Sequence, residues 1–215
     1  MSTLVLIRAG VTDYDEDHRL LGTLDVPLNS RGRQQIEELI QQLAERQLAP
    51  DLILGSPENP AAETARLIAA AVPSARLKLV EELRNVNQGL WQGLSEEEVR
   101  GRFPRVFKLG RNSPAEICAP EGESLVDACR RIEVVLEKAI RKHSQLAVVA
   151  PEPLATAILC VVQRRGVKLV ECLCGEESPS IIEVVQTDSF DAEVVNLNVQ
   201  SRENGLVAVG KGSHS

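Results

Sequence analysis

Three short runs of this chain are apolar at every position: Leu4-Val5-Leu6-Ile7, Leu52-Ile53-Leu54 and Leu146-Ala147-Val148-Val149-Ala150. A strand with one wet face alternates apolar and polar residues, so a run without alternation has to be covered on both sides. Each run stops at a charge or a turn: Arg8, Gly55-Ser56-Pro57, and Pro151-Glu152. Between the runs, apolar residues recur at helical spacing. Asn29 or Ser30 is placed to cap a helix whose face carries Ile36, Leu39, Ile40 and Leu43. Residues 61–72 form an Ala-rich helical stretch, and 123–142 the longest one, with Leu125, Ile132, Val135, Leu136 and Ala139 on one side. Residues 154–163 predict a further apolar helix, and Ser95 with Glu98 predicts a capping box on a short one. Residues 75–80, 181–185, 194–199 and 206–209 read as additional strands. Strands that alternate with helices predict an α/β fold, a three-layer α/β/α sandwich with a mostly parallel central sheet and helices on both faces.

The 215 residues suit a single domain spanning 1–215. Only 2% are aromatic, so the core must be built from Leu, Val, Ile and Ala. Lys and Arg number 24 against 31 Asp and Glu, a net charge of −7, which disfavours nucleic acid and anionic membranes as partners. No apolar run has the length of a membrane span, and no secretory signal pattern opens the sequence. Five cysteines without a disulfide-like spacing predict a reducing cytoplasm. Cys172-Leu173-Cys174 is a single pair with no second pair at zinc-site spacing, so no metal and no cofactor is expected.

In open α/β sheets, ligands bind beyond the C-terminal ends of the strands. After the first strand comes Arg8-Ala9-Gly10-Val11-Thr12, and after the second Ser56-Pro57-Glu58-Asn59-Pro60-Ala61-Ala62-Glu63-Thr64-Ala65. After the third comes Glu82-Leu83-Arg84-Asn85, leading to Gly89-Leu90-Trp91-Gln92-Gly93-Leu94. Leu24-Asp25-Val26-Pro27-Leu28-Asn29 with Gly32-Arg33, and Pro120-Glu121-Gly122-Glu123-Ser124, complete the set. In order and spacing these stretches resemble the histidine phosphatase superfamily, the phosphoglycerate-mutase-like proteins, most clearly over residues 3–185.

That resemblance implies phosphoryl transfer through a histidine. A strand-end Arg-His-Gly supplies the nucleophile, two arginines and a second histidine surround the phosphoryl group, and an acid after the third strand protonates the leaving oxygen. Set against that pattern, Arg8 matches the first arginine, but Ala9 stands at the nucleophile position and a methyl group cannot attack phosphorus. Pro60, with Ala62 near it, stands where the second arginine is expected. Asn85 replaces the acid, and Pro151 replaces the second histidine. Four of the five chemical positions thus hold residues unable to do the job. The resemblance implies a pseudophosphatase with a binding, regulatory or structural role, whose partner is a protein or a small anionic metabolite. The alternative is a divergent phosphatase acting on a phosphomonoester by an unassigned route. Members of the superfamily often dimerise, so a homodimer is an implication of the resemblance.

Arg8 has two open readings: it binds an anion, or it pairs with an internal carboxylate, for which Glu63, Glu82 and Glu152 are candidates. His18, His143 and His214 read as exposed or capping residues, Cys160 as a core residue, and Cys118 and Cys129 have no neighbour that would activate a thiol. Asp13, Asp15 and Asp17 read as a solvated acidic loop, and Trp91 as packing beneath the loop that carries it. Glu121-Gly122-Glu123 reads as a turn that sets acids at a helix start.

Overall fold

The computed structural model describes residues 2–106, 118–162, 182–187 and 192–197. The predicted strand at 206–209, Cys172, Cys174 and His214 lie outside the described residues.

Strand β1 (Ser2–Arg8) is followed by a four-residue helix α1 (Asp13–Glu16), by α2 (Ser30–Glu45), and by β2 (Leu52–Gly55). Next come α3 (Ala61–Ala71) and β3 (Arg76–Leu79), then two 3-10 turns, Glu81–Leu83 and Gly89–Trp91. Helix α4 (Glu96–Arg102) precedes α5 (Leu125–Ile140), β4 (Gln145–Ala150) and α6 (Leu154–Val162), and β5 (Ile182–Thr187) and β6 (Ala192–Leu197) follow. The strands make one sheet in the order β3-β2-β4-β1-β5-β6. β3, β2, β4 and β1 are parallel, whereas β5 and β6 join antiparallel at one side. The expectation of a mostly parallel sheet between helices therefore holds, and the turn of direction at β5 is the part that apolar periodicity does not encode.

The apolar runs are divided between two cores by their alternation. Leu4 and Leu6 of β1, Leu52 and Leu54 of β2, and Leu146, Val148 and Ala150 of β4 pack with Ile132 and Leu136 of α5 and Leu154 and Ile158 of α6. Their neighbours Val5, Ile7, Ile53, Ala147 and Val149 point the other way, onto Ile36, Leu39 and Leu43 of α2 and Ala61, Ala65 and Ile68 of α3. Each large aliphatic side chain buried this way contributes roughly 1.5–3 kcal/mol of transfer free energy. A one-residue slip of β1 would exchange its two faces, so both helical layers hold the same register. A third, smaller cluster joins Trp91, Val99 and Ala119, with the Trp91 and Phe103 ring centroids 6.4 Å apart.

Local signals explain where the helices begin. Asn29 is the N-cap of α2 and accepts from the Gly32 N–H at 2.8 Å, and Ser95 and Glu98 form a capping box on α4. The stretch expected to be a loop around Asp13 begins instead with α1. Thr12 caps it, with Asp15 closing a reciprocal box. This turn is held by local hydrogen bonds and has no apolar period to reveal it. Ser124, not the Glu121–Glu123 turn, caps α5, and the acid in its first turn is Asp127.

A cleft at the carboxyl ends of the strands

Because β1, β4, β2 and β3 run parallel, their last residues emerge along one edge. Arg8 lies beside Ala150, and Gly55 beside Val149 and Leu79. Arg8, Ala9, Pro60, Ala62, Asn85 and Pro151 all lie at this edge or in the segments that follow these strands.

Arg8 is buried, with 9% of its surface exposed. Its Nε lies 2.6 Å from Oε1 of Glu152, an ion pair between the end of β1 and the segment after β4. The other Glu152 oxygen accepts from the Thr156 hydroxyl at 2.7 Å and from the Thr156 backbone N–H at 3.3 Å. One carboxylate thus receives a guanidinium, a hydroxyl and an amide of the first turn of α6. Of the three carboxylates expected as candidates, Glu63 is engaged elsewhere, by Arg33 and by the Leu28 N–H.

Ala9 follows Arg8, partly buried against the core shared with α2 and α3, and donates its N–H to the Ala150 carbonyl at 2.9 Å. Gly10 donates its N–H to the Thr64 hydroxyl at 3.1 Å. A Cβ on Gly10 would come within 2.8 Å of the Gly32 carbonyl oxygen, so glycine lets the start of α2 lie against this loop.

In the second loop, Ser56 donates its hydroxyl to Glu58 at 2.9 Å, and the other Glu58 oxygen takes Arg84 Nε at 2.6 Å. Arg84 also pairs with Glu81 at 2.6 Å. Pro60 immediately precedes α3 and caps it without a side-chain hydrogen bond, and Ala62 is buried inside that helix.

Asn85 is buried and saturated. Its Nδ2 donates to the carbonyls of Gly22 and Glu152, both at 2.8 Å, while Oδ1 accepts from the N–H groups of Val86 at 2.9 Å and Leu154 at 3.3 Å. Four bonds exhaust the two donors and two lone pairs of a carboxamide. A carboxylate in the same place would keep the two acceptors and lose both donors.

Arg131 of α5 clamps this loop. It makes a two-pronged pair with Glu123 at 2.7 and 2.8 Å and donates to the carbonyls of Glu82 at 2.5 Å and Asn85 at 3.2 Å. Pro151 is buried, and its carbonyl accepts from Ala155 at 3.0 Å, starting α6. The next contact brings the two glycine-bearing motifs together. Gly89 has φ +44°, and a Cβ there would overlap the Pro120 carbonyl oxygen. Leu90 donates to that same carbonyl at 3.0 Å, and Glu123 donates its N–H to Asn87 at 2.7 Å.

The other candidates lie apart. His143 Nδ1 is 3.2 Å from Asp51 Oδ2, at the opposite edge of the sheet where β2 and β4 begin. His18 directly follows α1 and its C-cap residue Asp17, is exposed, and has φ 53°. Cys160 is buried in α6. The Cys129 thiol, 3.8 Å from the Ala157 carbonyl, is pushed up in pKa by burial first and by the Glu133 carboxylate second. Glu98, by contrast, is held below the usual carboxylate range, chiefly by the Ser95 backbone N–H. Among the described residues, no group of three or more His, Cys, Asp or Glu is arranged to hold a metal ion, and no helix is long and apolar enough to cross a membrane. Arg131 and Thr156 were not marked by sequence. A helix arginine facing a loop carbonyl carries no motif, and Thr156 reads as one more small residue in an apolar helix.

The parallel core, the crossed order of its strands and the loops at their carboxyl ends define a phosphoglycerate-mutase-like α/β sandwich. The profile of the histidine phosphatase superfamily (branch 1) matches residues 4–199, and the chain belongs to that superfamily. It is 31% identical over 151 residues to phosphoserine phosphatase 1 of Hydrogenobacter thermophilus, covering 69% of each chain. It is 34% identical over 129 residues to glucosyl-3-phosphoglycerate phosphatase of Mycolicibacterium vanbaalenii, covering 60% of this chain and 55% of that one. With phosphoglycerate mutase-like protein 4 of Arabidopsis thaliana, the match spans 61% of that protein's length. In fold, a mycobacterial glucosyl-3-phosphoglycerate phosphatase solved with VO3 superposes with a TM-score of 0.81 at 24% identity, over 93% of this chain and all of that one.

Proposed function

We propose that this chain is a superfamily member that performs no phosphohistidine chemistry and acts through binding, in a regulatory or structural role. The observation that carries the reading is the content of the strand-end cleft. The Arg8 guanidinium is matched by the Glu152 carboxylate at 2.6 Å, and the residue after it, Ala9, has no nucleophilic atom. The loops around it supply Pro60, Asn85 and Pro151 in place of groups that could hold a phosphoryl oxygen or move a proton. Asn85 supports the reading further. Its four hydrogen bonds make it a bracing residue, fitted to the carbonyls around it rather than left over from an acid.

Among partners, a protein surface is favoured over a small anion, because Arg8, at the end of β1, and Arg84, in the segment that follows β3, carry carboxylate counter-ions. Whether that partner is a second copy of the chain is read by sedimentation. The support for a cytoplasmic setting is that, among the described residues, Cys118, Cys129 and Cys160 form no disulfide.

The test is direct. Purified protein incubated with a radiolabelled phosphodonor should acquire no acid-labile phosphohistidine and should hydrolyse an aryl phosphate no faster than the buffer blank. Robust turnover, abolished by one substitution lining the cleft, would overturn the reading in favour of a divergent phosphatase.

A further inference from the structure

The Glu152 carboxylate closes on three donors from two elements. Arg8 Nε comes from β1, and the Thr156 hydroxyl and N–H come from the first turn of α6. A guanidinium, a hydroxyl and a helix-start amide are the donors that a tetrahedral oxyanion accepts from. Here the two oxygens of a side chain of the chain itself take them. The backbone of the same residue is fixed as well, since the Glu152 carbonyl accepts from Asn85 at 2.8 Å. The carboxylate therefore remains at a high local concentration beside Arg8, and any dissolved anion competes with it.

We propose that Glu152 is an exclusion residue: its carboxylate permanently fills an oxyanion seat formed by Arg8 and Thr156, making the cleft blind to phosphate. An arriving phosphate meets a negative charge on the cation it needs. Arg84, in the loop after β3, is itself shared by Glu58 and Glu81. The inference rests on the non-catalytic reading above. That reading fails by turnover, whereas this one fails by binding, so the two failures are distinct.

The experiment is isothermal titration of inorganic phosphate, with melting curves in millimolar phosphate against chloride at equal ionic strength. The wild-type chain should show no binding heat and no shift. Glu152→Gln keeps an acceptor for Arg8 and removes the charge. It should bind phosphate at least about tenfold more tightly than wild type and melt higher in phosphate. Adding Arg8→Gln should abolish that gain. Glu137→Gln, which removes the same charge from the exposed side of α5, should gain nothing. Phosphate binding by the wild type as tight as by Glu152→Gln would overturn the proposal. So would no gain in Glu152→Gln, or a gain that survives loss of Arg8. Should Glu152→Gln not fold, Glu152→Ala replaces it, and the wild-type titration still decides whether the seat is closed.

Discussion

Replacing Asn85 by aspartate changes one NH2 group to oxygen and leaves the side-chain shape intact. The acceptor bonds from Val86 and Leu154 can survive. The donor bonds to Gly22 and Glu152, both at 2.8 Å, cannot, because a carboxylate has nothing to donate. Each lost bond removes about 1 kcal/mol, and each carbonyl left facing an oxygen adds a penalty of similar size. The new charge is enclosed where Asn85 is only 4% exposed, at a cost of several kcal/mol, partly offset by the two remaining N–H donors. The net expectation is a loss of ~3–5 kcal/mol, a large share of the 5–15 kcal/mol typical of a folded domain. For a chain of this size that lowers the melting temperature by about 10 °C at neutral pH. The sign with pH follows from burial. The folded state prefers the neutral carboxyl, so the variant's folded pKa lies above its unfolded value, and the penalty grows as pH rises through the unfolded pKa. Calorimetric melts at neutral and mildly acidic pH check both parts. A variant that melts within about 2 °C of wild type at neutral pH would refute the bracing role.

Arg8→Ala should cost ~1–3 kcal/mol, measured by urea unfolding. It removes a buried pair but leaves Glu152, whose side chain is 39% exposed, able to reach water; an unchanged midpoint would remove the ion pair from the stability account. Ala9→His should fold and remain without phosphatase activity in an aryl phosphate assay, since Asn85 stands where the acid is expected and Pro60 where the second arginine is; a large rate gain would show that the other loops still support catalysis. Cys129 should alkylate slowly with iodoacetamide at mildly alkaline pH, because burial raises its pKa and keeps it a thiol; site-resolved mass spectrometry showing rapid modification would contradict that environment.

Much of the sandwich can be read from residue order because both halves of its physics are local. Leu4 to Ile7 and Leu146 to Ala150 are apolar at every position, and each residue then lands in one of two cores by simple alternation. The caps at Asn29 and Ser95 follow from side chains that accept from the backbone N–H three residues further on. The direction of β5 and β6 is a matter of chain return and is not encoded in their apolar pattern. Helix α1 escapes notice because a reciprocal Thr12–Asp15 cap, and not a buried face, holds it. In the cleft, the strand ends point to Arg8, Ala9, Pro60, Asn85 and Pro151, and substitution at those places is visible in one dimension. What Asn85 does there is not. Its partners lie 63 and 67 residues away, and nothing in the sequence distinguishes a carboxamide that has lost a proton donor's role from one that has gained four bonds.

Arg131 bears on how such a protein would meet a partner. Its guanidinium pins the segment around Glu82 and Asn85 to α5, using Glu123 and two carbonyls. The rim of the cleft therefore keeps its contour with nothing bound in front of it. A protein partner of the kind proposed above would meet a segment already held and would spend little of its affinity on ordering it, so its association should follow rigid-body kinetics.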